Sequence, residues 1–365
     1  MEKRDPREEE RRRQIAARVR QQQGQDYRNR RLLAIYDFID LPFSFDICTF
    51  LVNAELRRRQ SGCDKIDVAF VCHASDPGPP RHPYVNRTNF REYLYNLGLE
   101  STRLLDTVGS VFVFDNRKLF IDFLARFRDG YSLYPRDYDP SLPIELRSDR
   151  PAVHMWKNSA QEAISDPTLL HLRAPPEQVA WVRKWILGHV YPKVPVAITL
   201  REWEGWAPLK NSSLPEWQRL IDSYRDSRIQ FIVLRDYYKL YQPLPLCGEN
   251  VVYYNEPVLL VSLRAALYQE SSLSLFSSGG FNALAWFNRK TRYITFKVTV
   301  DDRAARIDDL WSDVRLRPGD DFHGATPYQK LVWEADDFAT LRFHVDKMLE
   351  RLERDHLLLP GYYPS

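Results

Sequence analysis

Cysteine is scarce: four thiols, Cys48, Cys63, Cys72 and Cys247, are spread over 365 residues with no CxxC pair. A disulfide framework is thereby excluded, and eight scattered histidines add no zinc-ligand spacing. Cys48 and Cys72 lie in apolar segments that read as core, so reduced thiols in a cytosolic protein are expected. Long apolar runs are missing as well. No stretch approaches the roughly 18 apolar residues of a membrane span, and the opening MEKRDPREEERRRQ has no apolar core of the kind an export signal carries. Neither classical export nor integration into a membrane is expected. No G-x-x-x-x-G-K-[ST] occurs, no G-x-G-x-x-G follows the first apolar run, and no G-x-S-x-G elbow is present. These absences count against NTPase, NAD-dependent and α/β-hydrolase chemistry.

Charge of one sign is also lacking, except at the start. The net charge is +3, yet residues 1–31 hold eleven Lys and Arg against six Asp and Glu, leaving the rest with 41 against 43. The body is therefore no electrostatic nucleic-acid binder, and no nucleic-acid partner is expected. Residues 1–30 form a basic extension with few apolar side chains. It reads as a solvated helix or a disordered segment, with a partner-binding or anionic-membrane arm as the alternative.

From Arg31 short apolar runs alternate with helical stretches. Strands are expected at 32–38, 65–73 and 109–115, and helices at 45–60 (with Ser44 as its cap), 89–108 and 118–127. Residues 130–176 break the rhythm with prolines and read as loops at the edge of a first domain, 31–176. A second domain, 177–365, repeats the pattern. It opens with a helix at 177–191, carries strands at 194–200, 229–236, 249–256, 272–278 and 292–298, and has helices at 213–226, 258–270 and 281–288. A final helix, 336–355, is expected to pack back on the first domain. The fold class is α/β: two Rossmann-like domains facing a cleft, each with a parallel sheet covered on both faces.

In open α/β sheets ligands bind beyond the carboxyl ends of strands. That rule selects Arg201 after ITL, Arg235 and Asp236 after IQFIVL, Asn255 and Glu256 after VVYY, and Ser277-Ser278-Gly279-Gly280 after LSLF. Glycines there let backbone approach a phosphate, or make a plain turn. Arg201 suits a bidentate diphosphate contact, or a salt bridge to Glu202 or Glu204. Glu256 suits a ribose contact, or is a helix-start carboxylate. Trp203 and Trp206 stack on a sugar or cover the domain edge.

The order of elements from 31 to about 355, with SGGFNALA at 278–285, resembles the two-domain GT-B glycosyltransferases that use nucleotide sugars. One large branch holds its donor with His-Gly-Gly-x-Asn-Ser-x-x-Glu. Here Gly279, Gly280 and Asn282 are kept, Ser278 and Ala283 stand for the His and Ser, and the Glu is absent. Arg201 after its strand is similar to the fucosyltransferase-like branch, without the fuller His-x-Arg-Arg.

The resemblance implies a metal-independent glycosyltransferase with no cofactor. It would move a sugar from a nucleotide-diphosphate donor to a glycan, lipid-linked or protein hydroxyl. Arg201, Ser277, Ser278, Gly279, Gly280, Asn282, Arg235 and Glu256 would serve the donor. Asp40 first, then Asp37 and His73, would serve as general base, each with a structural role as the alternative. Asp137-Tyr138-Asp139 matches the Asp-x-Asp of metal-dependent transferases but lies in a proline-rich loop, so no metal ligand is assigned. The rival functions are a transferase-like binding protein without chemistry, and another sugar-nucleotide enzyme such as an epimerase.

Overall fold

The computed structural model describes residues 30–38, 41–72, 85, 88–136, 138–140, 172–204, 208–298 and 315–358. The expectations for the basic extension up to residue 29, Asp40, His73, Trp206 and Asp137 lie outside the described residues. The chain divides into two compact units, Met1–Asn158 and Ser159–Ser365, the division falling within the stretch read as loop.

In the first unit, three short apolar runs become β1 (Arg31–Asp37), β2 (Lys65–Val71) and β3 (Val108–Phe114), all parallel. Parallel neighbours need crossover connections. Helix α1 (Asp46–Gln60) supplies the first and is buried from Ile47 to Arg57. Phe45 occupies its N-cap position without a capping side chain, so Ser44 acts from one residue further out. The Ser44 Oγ accepts the Asp46 N–H at 3.2 Å and donates to the Asp46 carboxylate at 2.7 Å. The second crossover helix, α2, runs Phe90–Tyr93, winds as a π-helix over Leu94–Leu99 and closes at Glu100–Thr102. Helix α3 (Arg117–Phe127) starts where Asn116 accepts the Leu119 N–H, and it lays Phe120 and Leu124 on Leu33, Ile35, Ala69 and Val71. Strand β4 (Ser132–Tyr134) completes the sheet in the order β3-β2-β1-β4, inside a stretch read as loop. Three residues carry too little periodicity to show in sequence.

The second unit opens with α4 (Pro176–His189), followed by β5 (Val194–Thr199), α5 (Leu214–Asp222), β6 (Ile229–Leu234) and β7 (Val251–Tyr253). Then come α6 (Glu256–Leu259), α7 (Val261–Glu270), β8 (Leu273–Ser277), a 3-10 turn at Gly280–Asn282 and α8 (Ala283–Trp286). Strands β9 (Tyr293–Phe296) and β10 (Gln329–Leu331) and helix α9 (Phe338–Arg354) close the chain. The parallel sheet has the order β10-β9-β8-β5-β6-β7. Every residue of β5, β6, β8 and β9 is buried, as expected of strands covered on both faces.

Two expectations are corrected here. The helix at 258–270 breaks at Leu260, and the buried Arg264 guanidinium takes the carbonyls of Pro257 and Val258 that the break leaves over. The helix at 281–288 shrinks to the 3-10 turn and the four residues of α8. The apolar face of helix α9, Leu341, Val345, Met348 and Leu352, joins Val194, Ile198, Trp217 and Leu220 in the core of the second unit.

Candidate functional site

Strand β5 is flanked by β6 on one side and β8 on the other. The chain leaves β5 in one direction, through β6 and β7, and returns on its opposite side as β8 and β9. The carboxyl ends of β5 and β8 therefore form a topological switch point, where connections diverge and leave a crevice. Arg201 follows one of these strands and Ser278-Gly279-Gly280 the other. The two meet: a Cβ built on Gly279 would lie 3.5 Å from the Arg201 Cδ, and only 2.9 Å from a ring carbon of Phe281. Gly279 has an extended backbone, φ −161°. Its smallness serves close approach and not an unusual φ. Gly280 is exposed, and Asn282, 1 % exposed, has no hydrogen-bond partner for either Nδ2 or Oδ1 among the described residues. A buried amide left with two unmet polar atoms costs stability unless something outside the chain meets them.

A polar segment missed in the sequence, Asn211-Ser212-Ser213, ties these loops together. The Arg201 N–H donates to the Ser212 Oγ at 2.9 Å, and that hydroxyl is 2.9 Å from the Ser277 Oγ. Ser277 is thus an anchor within the protein. The Arg201 Nη1 donates to the Asn211 Oδ1 at 2.8 Å. Lys297, directly after β9, donates to the Asn211 carbonyl at 2.7 Å and pairs with Asp336 at 2.7 Å. Asp336 is fully buried and also accepts from the Ser213 N–H and hydroxyl and the Trp217 Nε1. One sequence signal pointed here: Ser213-x-x-Glu216 ahead of an apolar run has the form of a capping box. Both side chains are drawn elsewhere, Ser213 to Asp336 and Glu216 to the Phe338 N–H.

The carboxylates beside Arg201 in sequence are engaged by other cations. Glu202 makes a two-point pair with Arg235, and Glu204 pairs with Lys239. Asp236 accepts the Glu202 N–H. Burial pushes the Asp236 carboxyl up to about 6 and the Glu202 charge adds to this, although that hydrogen bond and the charges of Arg264 and Arg201 pull the other way.

No family model and no curated relative matches the sequence. A glycosyl transferase family 9 structure from Veillonella parvula DSM 2008 superposes with a TM-score of 0.52 at 9% identity, over 88% of this chain and 97% of that one. The chain shares the fold of a family 9 glycosyltransferase. Weaker overlays are given by the fucosyltransferase NodZ from Bradyrhizobium (TM-score 0.38, 12% identity, 75% of this chain and 97% of that one) and the E. coli heptosyltransferase WaaC with ADP (0.37, 13%, 89% and 98%).

Within this fold, Arg201, Ser278, Gly279, Gly280 and Asn282 come together at the switch point, while two other candidates do not join them. Arg235 is buried, its guanidinium spent on Glu202 and on the carbonyls of Gln242 and Pro243 at 2.9 Å each. It holds the β6 loop. Glu256 is exposed at the first position of α6, after the edge strand β7. Two strand spacings, about 10 Å, separate β7 from β5. Asp37 ends β1, where the first sheet reverses in the same way between β2 and β4. It is buried, 2.7 Å from the Arg117 Nη1, and accepts the Tyr138 hydroxyl at 2.5 Å. These two contacts fix the carboxylate in place at the end of β1. Burial pushes the Cys48 and Cys72 thiols up to about 12, which keeps them protonated core residues. No helix among the described residues is long and apolar enough to cross a membrane.

Proposed function

We propose that the second unit binds a nucleotide-diphosphate sugar through its diphosphate at the β5–β8 switch point. The chain then transfers the sugar, without a metal, to a hydroxyl of a glycan, a lipid-linked carrier or a protein. The approach of Arg201 to Gly279 carries this reading: a cation and a backbone stripped of side chains flank one crevice. The unmet amide of Asn282 supports it. Since α8 has only four residues, no long helix dipole helps here, and the charge for a diphosphate comes from Arg201 with the turn amides beside it.

In the transfer, the acceptor oxygen bonds to the anomeric carbon as the bond from that carbon to the diphosphate oxygen breaks. The acceptor proton passes to a base. Arg201 offsets the negative charge that grows on the departing diphosphate, which lowers the barrier because the charge is met by a group already in position. Asp37 is held by Arg117 and Tyr138, so Asp40 leads as general base, ahead of His73.

Incubation with a panel of nucleotide sugars and hydroxyl acceptors should release nucleoside diphosphate and yield a glycosylated product by mass spectrometry. Arg201→Ala should weaken nucleoside diphosphate binding about 10- to 100-fold, the worth of a charge-assisted hydrogen bond. Unchanged affinity by calorimetry with the fold intact would remove Arg201 from the site. The missing His and Glu around Gly279-Gly280 favour a second reading, a binding protein without chemistry. Diphosphate binding with no turnover across the panel would support it.

A further inference from the structure

Buried asparagines in the second unit are used by the fold, with one exception. Asn250 donates through its Nδ2 to the Ile221 carbonyl at 2.9 Å, and Asn288 accepts the Lys290 N–H at 3.0 Å. Asn53 in the first unit likewise donates to the Thr49 carbonyl at 2.8 Å. Asn282 is buried as deeply, yet among the described residues neither its Nδ2 nor its Oδ1 has a hydrogen-bond partner. Gln269, the other amide with an unmet atom, lacks a partner for its carbonyl oxygen alone. Asn282 also has a distinctive place. Its N–H donates to the Gly279 carbonyl at 3.1 Å, so it closes the turn that carries the exposed Gly280 and approaches the Arg201 side chain. An amide unmet at both ends raises the free energy of the free chain, and it does so here at the mouth of the switch point.

We infer that Asn282 is a specificity-determining residue of this site: its Nδ2 donates to a diphosphate oxygen while its Oδ1 accepts from a hydroxyl of the same molecule, so a diphosphate bearing a hydroxylated group is preferred to bare pyrophosphate. The reason is the two-sided chemistry of an amide. A diphosphate offers acceptors, which meet the Nδ2 and leave the Oδ1 facing partial charge of its own sign. The Oδ1 needs a donor, and the hydroxyls of a ribose or of a transferred sugar supply one. Neither amide atom is reached by solvent in the free chain, so a ligand meets them as the Gly279-Gly280 turn shifts. The unmet amide lowers the cost of that shift, because the free state already bears a penalty that the bound state relieves. This selection rests on the phosphate site proposed above, and pyrophosphate probes that site by itself.

Calorimetry gives affinities for inorganic pyrophosphate, nucleoside diphosphates, their 2′,3′-dideoxy analogues and nucleotide sugars, and thermal denaturation follows the fold. The native chain should prefer the hydroxyl-bearing ligand about 3- to 10-fold, the worth of one hydrogen bond. A ribose hydroxyl shows as a preference for the nucleoside diphosphate over its dideoxy analogue, and a sugar hydroxyl as a preference for the nucleotide sugar over the nucleoside diphosphate. Asn282→Leu, close to asparagine in volume, should abolish that preference and raise the melting temperature, since it removes the unmet polar atoms without opening a cavity. Asn282→Ala guards against a Leu variant that fails to fold, and it should abolish the preference as well. A preference that survives in these variants overturns the selection, as does a lowered melting temperature with equal losses for every ligand, the mark of a merely structural asparagine. A native chain that binds pyrophosphate as tightly as every hydroxyl-bearing ligand also overturns it, while leaving the phosphate site standing. Failure of the native chain to bind any of these ligands overturns the phosphate site and the selection together.

Discussion

Gly279 is small because of space, not because of its backbone. A methyl group there would meet the Phe281 ring at 2.9 and 3.1 Å, and Phe281 is itself buried against the core. Gly279→Ala should therefore cost about 1–3 kcal/mol in urea denaturation, the usual penalty for overpacking, and should weaken nucleoside diphosphate binding as Phe281 and Arg201 give way. A cost near zero with native affinity would remove the steric account. Asp236 makes a prediction of opposite character. Its carboxyl titrates near 6 in the fold, above its ordinary value near 4, so the folded chain holds a proton there more readily than the unfolded chain does. The stability it contributes is then complete below about pH 4 and is lost as pH rises through about 6. Asp236→Asn removes this slope. Relative to the native chain, the variant should gain stability from pH 4 to pH 7, and parallel stability curves would refute the shift.

At the scale of elements, a buried ion pair between Lys297 and Asp336 holds the carboxyl end of β9 in the second sheet. Asp336 takes four donors, from Ser213 (two), Trp217 and Lys297, and so fixes the start of α5 and the end of β9 to the segment that leads into α9. Asp336→Ala leaves a buried ammonium and an indole N–H without their acceptor, and should cost about 3–5 kcal/mol by urea denaturation. A loss below about 1 kcal/mol would mean that water replaces the carboxylate. The same network limits what was legible from sequence. The strands were legible because each is a short apolar run bounded by breakers, and α5 because Pro215 sits in its first turn. Asp336 was legible only as a helix-start acid. Its partners lie more than a hundred residues away, at Ser213 and Trp217, and no local pattern can announce a contact of that span.

For the whole molecule, each unit has its own apolar core, one around Phe120, Leu33 and Val71, the other around Trp217, Val196 and Leu341. Phe120→Ala should remove about 3–5 kcal/mol from the first unit. Scanning calorimetry should show one transition shifted and a second unchanged, because Phe120 packs in the core of the first unit. A single transition that moves as one would show that the units unfold together. The two α/β halves could be read from the chain alone, since hydrophobic period, run length and terminal residues act over a few neighbours. Arg201 and Gly279-Gly280 could also be read as candidates, because a residue that follows a strand sits at the sheet's carboxyl end whatever the sheet's order. Tertiary structure decided which candidates meet. Only the order β8-β5-β6-β7 makes Arg201 a neighbour of Gly279 and sends Glu256 to the far edge, and only side-chain geometry gives Arg235 to Glu202. Strand order depends on which distant faces bury each other, and that is a property of the packed chain as a whole.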